Sequence, residues 1–151
     1  MVAAKKNPSH IALGPLADQL GFHLAQASVV TTLAYNACVG DPLQLRKVEY
    51  SLLVLLYANS ALSPKQLSKA LSLTAPNLTL LLDRLQERDL IVRERNPNDG
   101  RSQHVRLSDA GQTLVHRANE AALTMRDHWQ GRLTAAENAM LMELLSKVYD
   151  T

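Results

Sequence analysis

The sequence predicts a mainly α-helical protein interrupted by one short β-hairpin, and three observations predict it. Leucine and alanine dominate while aromatic side chains make up only 4% of the chain, the composition of helices that pack through aliphatic stripes. Apolar residues recur at helical spacing along most of the length. One stretch, RERNPNDGRSQHVRLSD at 93–109, instead sets an Asp-Gly turn between two β-type runs.

The elements follow in order. Leu13, Leu16, Ala17, Leu20, Leu24, Ala27, Thr31 and Ala34 place a first helix over 13–38, with Gly40, Asp41 and Pro42 punctuating its end. A second helix runs from Leu45 to Ala58 with Val48, Leu52, Leu55 and Leu56 inward, and NSALSP breaks the chain after it. Ser63-Pro64-Lys65-Gln66 is a capping box with proline at the first helical position, so PKQLSKAL is a short third helix. Thr74 is a good N-cap for a fourth, Pro76 is tolerable in its first turn, and Leu78, Leu81, Leu82 and Leu85 form one buried stripe. Two such helices joined by a few residues make a helix-turn-helix.

Asp89 closes that unit, because aspartate tolerates the left-handed cap conformation. LIVRER and SQHVRL then read as paired strands, Val105 and Leu107 alternating with His104 and Arg106, with NPNDG as a long loop. A helix-turn-helix followed by a hairpin is a winged helix. Ser108 caps a further helix through about His128, and Thr134-Ala135-Ala136-Glu137 is a second capping box. It opens a last helix bearing Ala139, Leu141, Met142, Leu145 and Val148.

Composition excludes several functions. The 151 residues can hold one compact domain, or one small domain plus extra packing elements. The longest apolar run, SLLVLLYA, is too short to span a bilayer, and the first twelve residues read as a loose tail without a secretory core. A single Cys38 forms no internal disulfide and fits a reducing cytoplasm. No Gly-rich phosphate loop, Ser/His/Asp arrangement or paired carboxylates stand out, so an enzyme is not expected, nor a cofactor. His23, His104, His116 and His128 lie on separate elements without metal-ligand spacing.

The chain's net charge is only +2, so any nucleic-acid contact must come from local clustering. Residues 62–106 hold eight basic and five acidic side chains, which leaves the remainder slightly negative. With the leucine stripe inward, helical geometry turns Pro76, Leu80, Asp83 and Glu87 outward, flanked by Thr79 and Arg84. The helix's first turn, Thr74 to Thr79, suits entry into a major groove: Asn77 can pair with adenine, Thr79 with several base edges, and Leu80 can meet a thymine methyl. An amphipathic helix with one exposed leucine, serving no nucleic acid, fits the same stripe. The hairpin favours DNA, since Arg101 at its tip suits a narrow minor groove and Asp99 is placed to orient the guanidinium.

These residues resemble the MarR (multiple antibiotic resistance regulator) family of bacterial transcription factors. The resemblance covers about residue 15 to the end and is carried by LLDRLQERDLI, by NPNDGR with Asp99 and Arg101 at signature wing positions, and by VRLSDAGQ. It implies a ligand-responsive repressor that binds a palindromic operator as a homodimer. On that pattern 1–12 is a flexible tail, 13–40 and 109–151 form the helical dimerisation region, and 41–108 is the winged helix-turn-helix. Thr74 through Leu80 map onto the recognition helix, Arg84 joins the major-groove set, and Asp83 maps onto an acidic position often paired with a wing arginine. Three residues depart from the family: Leu80 stands where a polar or basic residue is frequent, Gly100 where an arginine is, and Asp89 where a glycine is.

The family typically senses small molecules, often aromatic acids, in a cleft between the dimer helices and the winged helix. On that pattern Arg46 can pair with a carboxylate, His23 can add a hydrogen bond and Tyr50 can stack on a ring. Each also has an ordinary reading as a solvated helix-start cation, a satisfied interface residue or core packing. Two alternatives remain open at this point: a redox-responsive repressor acting through Cys38, for which no sequence neighbour lowers the thiol pKa, and a winged-helix protein-interaction module.

Overall fold

The computed structural model describes residues 11–96, 99–125 and 131–149; for 96 and 99–102 it describes the backbone alone. The chain divides into two units, residues 1–33 and 34–151. In the first, a 3-10 turn, Gly14–Asp18, precedes helix α1, Leu20–Tyr35, whose last two residues belong to the second unit. The expected single helix from residue 13 is therefore interrupted: Gly14 has φ +52° and Gln19 is extended at ψ 111°, so helical geometry restarts at Leu20. α1 carries no Asp, Glu, Lys or Arg, and Leu20, Leu24, Val29, Val30 and Leu33 are all exposed. Its apolar residues run all round rather than along one stripe, the pattern of a helix made to be buried.

In the second unit the helical path continues beyond Tyr35 as a π-turn, Asn36–Gly40, and a single turn α2, Asp41–Leu43, ending at left-handed Gln44 with φ 50°. Gly40 and Asp41 thus lie inside helical structure instead of ending it. Helix α3, Lys47–Asn59, starts two residues later than expected because Arg46 is extended and serves as its N-cap. Its inner face is Leu52, Leu53 and Leu56, with Val48 and Leu55 only partly buried.

The break after α3 proves structured. Ala61–Leu62 form strand β1, whose residues pair with Arg106 and Val105. Helix α4, Pro64–Leu71, is capped as predicted: the Ser63 Oγ accepts the Gln66 N–H at 3.3 Å, and the Gln66 Oε1 accepts the Ser63 N–H at 2.9 Å. Helix α5, Ala75–Glu87, buries Leu78, Leu81, Leu82 and Leu85 as the stripe requires. Strands β2, Ile91–Asn96, and β3, Asp99–Leu107, complete an antiparallel sheet of order β1-β3-β2. Their register runs from Ile91 opposite Leu107 to Arg95 opposite Gln103, then jumps to Asn96 opposite Asp99. The expected long loop is therefore replaced by continued pairing, with the surplus residues inside β3.

Helix α6, Asp109–Leu123, ends short of the expected His128, and residues 126–130 lie outside those described. Helix α7, Ala135–Tyr149, has the expected capping box, with the Glu137 Oε2 accepting the Thr134 N–H at 2.7 Å. None of its residues is buried, and Met140, Leu141, Leu144 and Val148 are exposed. One apolar core joins α3 and the α5 leucines to Leu67, Ile91, Val105, Val115 and Ala118.

The root of the hairpin is stitched to α6 at one side chain. The Ser108 Oγ donates to the Asp89 carbonyl at 2.5 Å and accepts the Gly111 N–H at 3.0 Å, while the Ser108 N–H donates to the Leu90 carbonyl at 3.1 Å. Gly111 permits this approach, because a Cβ there would stand 2.0 Å from the Leu90 carbonyl oxygen. The SDAG string thus fixes where the wing leaves the helices.

Candidate nucleic-acid interface

The turn between α4 and α5 sets how α5 is presented. Ser72 adopts φ 52°, the Ser68 Oγ donates to the Leu73 carbonyl at 2.9 Å, and the Leu73 N–H returns to the Ser68 carbonyl at 3.0 Å. Thr74 then occupies the N-cap as expected, but its hydroxyl makes no capping bond. The N–H groups of Ala75 and Asn77 have no acceptor within the helix, and Pro76 has none to offer. Helix dipole and first-turn donors therefore favour an anion at this end.

Thr74, Pro76, Asn77, Thr79 and Leu80 are all exposed around this end, while Leu78 among them is 2% exposed. The Thr79 hydroxyl donates to the Ala75 carbonyl at 3.0 Å, so its oxygen lone pairs face outward as acceptors. Leu80 is 57% exposed, an apolar group held in solvent by the stripe that buries its neighbours. Arg84 lies further along the helix and faces a cleft of about 480 Å³, together with Arg46, Glu49, Glu87 and Arg88.

Local charge is lower than the residue count implies. Arg93 of β2 pairs with Asp83 of α5 at 2.5 Å, tying the wing strand to the helix. Arg106 pairs with Glu94 at 2.6 Å, and its hydrogen bond holds the Glu94 carboxyl below the usual carboxylate range and its own pKa up. Arg88 pairs with Glu49 at 3.2 Å. Among the described residues Lys65, Lys69, Arg84 and Arg95 have no such partner. Asp99 and Arg101 lie on the β3 backbone, and their side chains lie outside the described residues. Asp89 takes the left-handed conformation expected of it, φ 55°, and the Leu90 N–H closes back on the Leu85 carbonyl at 2.9 Å.

The three candidate ligand residues have different surroundings. Arg46 is exposed on the 480 Å³ cleft. Tyr50 does not line it: the phenol donates to the Asn119 Oδ1 of α6 at 2.9 Å, and burial pushes it above its ordinary pKa. Its ring packs on Tyr35, whose centroid is 5.8 Å away and whose hydroxyl donates to the Leu45 carbonyl at 2.7 Å. His23, in the first unit, approaches the Ala17 carbonyl through Nε2 at 2.7 Å and meets Phe22 edge-on. Cys38 is a free, partly buried thiol in the π-turn, packed against the core. No cluster suited to a metal ion occurs among the described residues.

Sequence reasoning missed Glu49 and Arg88. A Glu three residues after an N-cap was a readable signal for the first; nothing in the local pattern pointed to the second.

The MarR family model matches residues 45–103, from just before α3 to the middle of β3. The multiple antibiotic resistance protein MarR of Escherichia coli is 31% identical over 109 residues, 72% of this chain and 76% of that protein. Two solved structures resemble the fold closely. The transcriptional repressor CouR, bound to a 23-mer DNA duplex, has a TM-score of 0.84 at 29% identity, covering 91% of this chain and 97% of its own. The PcaV regulator of Streptomyces coelicolor, in complex with its natural ligand, has a TM-score of 0.81 at 25% identity, covering 93% and 99%. With its exposed α5 terminus, its hairpin and these relatives, the chain belongs to the MarR family of DNA-binding transcriptional regulators.

Proposed function

We propose that the protein is a homodimeric repressor that holds a palindromic operator and releases it when a small aromatic acid binds. The carrying observation is the α5 terminus: an uncapped first turn surrounded by exposed Thr74, Pro76, Asn77, Thr79 and Leu80 and backed by a buried leucine stripe. In this reading those residues enter the major groove with Arg84 alongside, and Arg101, oriented by Asp99, enters the minor groove. CouR, which was solved on a DNA duplex, supports it. The exposed apolar residues of α1 and α7 supply the surface for a second copy. Symmetric pairing then presents two α5 termini about 34 Å apart, one helical turn of DNA.

The effector is an aromatic acid or its coenzyme A thioester, and it acts in the cytoplasm. Support comes from PcaV, solved with a natural ligand, and from the cleft beside Arg46, where a carboxylate meets guanidinium groups. Of the other two candidates, His23 and Tyr50, neither lines that cleft, and the Tyr50 phenol is held by Asn119. To release DNA, the acid must bind the DNA-incompetent arrangement more tightly than the competent one.

The test is selection of duplexes from a random library by the full chain, light scattering to give its mass, and displacement by benzoates, hydroxycinnamates and their thioesters. Enrichment of an inverted repeat by a dimer, with release by one of these acids, is expected. A monomer in solution, or a library that stays random, would overturn the reading.

A further inference from the structure

We propose that Glu49 and Arg88 are positioning residues for operator recognition: their ion pair sets the angle at which α5 is presented, without touching DNA. The proposal rests on the reading that the first turn of α5 enters the groove. Glu49 sits in the first turn of α3 and is 4% exposed, a carboxylate nearly withdrawn from water. Its Oε2 accepts the Arg46 backbone N–H at 2.9 Å and the Arg88 Nη1 at 3.2 Å. Arg88 is the C-cap of α5. The pair therefore ties the start of α3 to the far end of the reading helix, across 39 residues of sequence.

Two features favour orientation over stability. Only Glu49 is withdrawn from water, and an ion pair whose other partner, Arg88, is open to solvent adds little stability. Its hydrogen bonds are directional, however, whereas the hydrophobic burial of the α5 leucines is not. The lever is long. Arg88 lies ~20 Å along the helix from Ala75, beyond reach of a groove entered by the first turn. Pivoting α5 by ~5° at that end moves its other end by ~2 Å, enough to lose a base hydrogen bond.

Beyond Arg88 the chain reverses at left-handed Asp89, whose carbonyl is held by Ser108. Glu49, on a different helix, thus adds a tie to α3 at the same end of α5 that the hairpin root ties to α6.

The test compares wild type with E49Q, R88M, R88K and the E49Q/R88M double variant. Each binds the duplex selected by wild type across a salt series, at a temperature where circular dichroism shows all of them folded. E49Q and R88M are each expected to weaken binding about tenfold, the worth of roughly one base contact, with an unchanged salt slope. The double variant should be no weaker than either single one, and R88K should recover part of the loss. Should R88M fail to fold, the double variant removes the stranded carboxylate and reads the same loss.

Lower melting temperatures with unchanged affinity would overturn the proposal by showing a purely stabilising pair. A salt slope reduced by about one in R88M, with E49Q like wild type, would overturn it by making Arg88 a phosphate contact. Wild type that selects no duplex would sink the proposal together with the functional reading, whereas unaffected variants would sink the proposal alone.

Discussion

Replacing Gly111 by alanine sets two effects of opposite sign against each other. Gly111 lies within α6, where alanine favours the helix by about 1 kcal/mol over glycine. On propensity alone Gly111→Ala should stabilise. The added Cβ, however, would stand 2.0 Å from the Leu90 carbonyl oxygen and 2.9 Å from its carbon. An ordinary carbon–oxygen contact needs roughly 3.3 Å, so the two backbones must separate by about 1 Å. The Leu90 carbonyl already accepts the Ser108 N–H at 3.1 Å, and that separation breaks the bond. Overpacking costs about 1–3 kcal/mol and the lost hydrogen bond about 1 kcal/mol more. The clash outweighs propensity, leaving a net destabilisation of about 2 kcal/mol, or a melting temperature lower by roughly 4–8 °C in a chain of this size. Thermal unfolding followed by circular dichroism reads the sign directly. A melting temperature that rises would refute the close approach of α6 to the hairpin root.

Four further outcomes are expected. Ser108→Ala removes both hydroxyl bonds of the same junction and should lower stability by about 2 kcal/mol in urea titration, with an unchanged m-value. Arg101→Ala should weaken operator binding and reduce the magnitude of the salt slope by about one; equal slopes would place the residue off the DNA. The Tyr35 phenol, whose pKa burial raises from the ordinary 10.0, contributes stability that is complete below pH 10 and is lost as pH climbs through the raised value. The alkaline fall in melting temperature should therefore be shallower in Tyr35→Phe, which at neutral pH loses about 1 kcal/mol with its bond to Leu45. Because Cys38 is partly buried against the core, peroxide should affect operator release equally in wild type and Cys38→Ser; release confined to wild type would establish a redox switch.

Features encoded within one turn of helix were legible in the sequence. Ser63 with Gln66, Thr134 with Glu137, the α5 leucines and the left-handed Asp89 all appear where local capping and periodicity put them. Features made by distant partners were not. Ala61 and Leu62 carry no strand pattern, and become a strand only because β3 offers an open edge. Among the described residues of 62–106, Arg88, Arg93 and Arg106 are tied to carboxylates that helix and strand register bring beside them. Tyr50 looked free to stack on a ligand because its acceptor, Asn119, lies 69 residues away.

The Ser108 junction also bears on how such a protein can diverge. Extra residues between β2 and β3 cost little, because loop-closure entropy rises only with the logarithm of length. An insertion among residues 107–111 would instead shift the hydroxyl off both partners and carry glycine away from the spot where a Cβ would meet the Leu90 carbonyl. Mutation can therefore lengthen or shorten the finger and retune its reach, while the knuckle from which it springs has to keep its geometry.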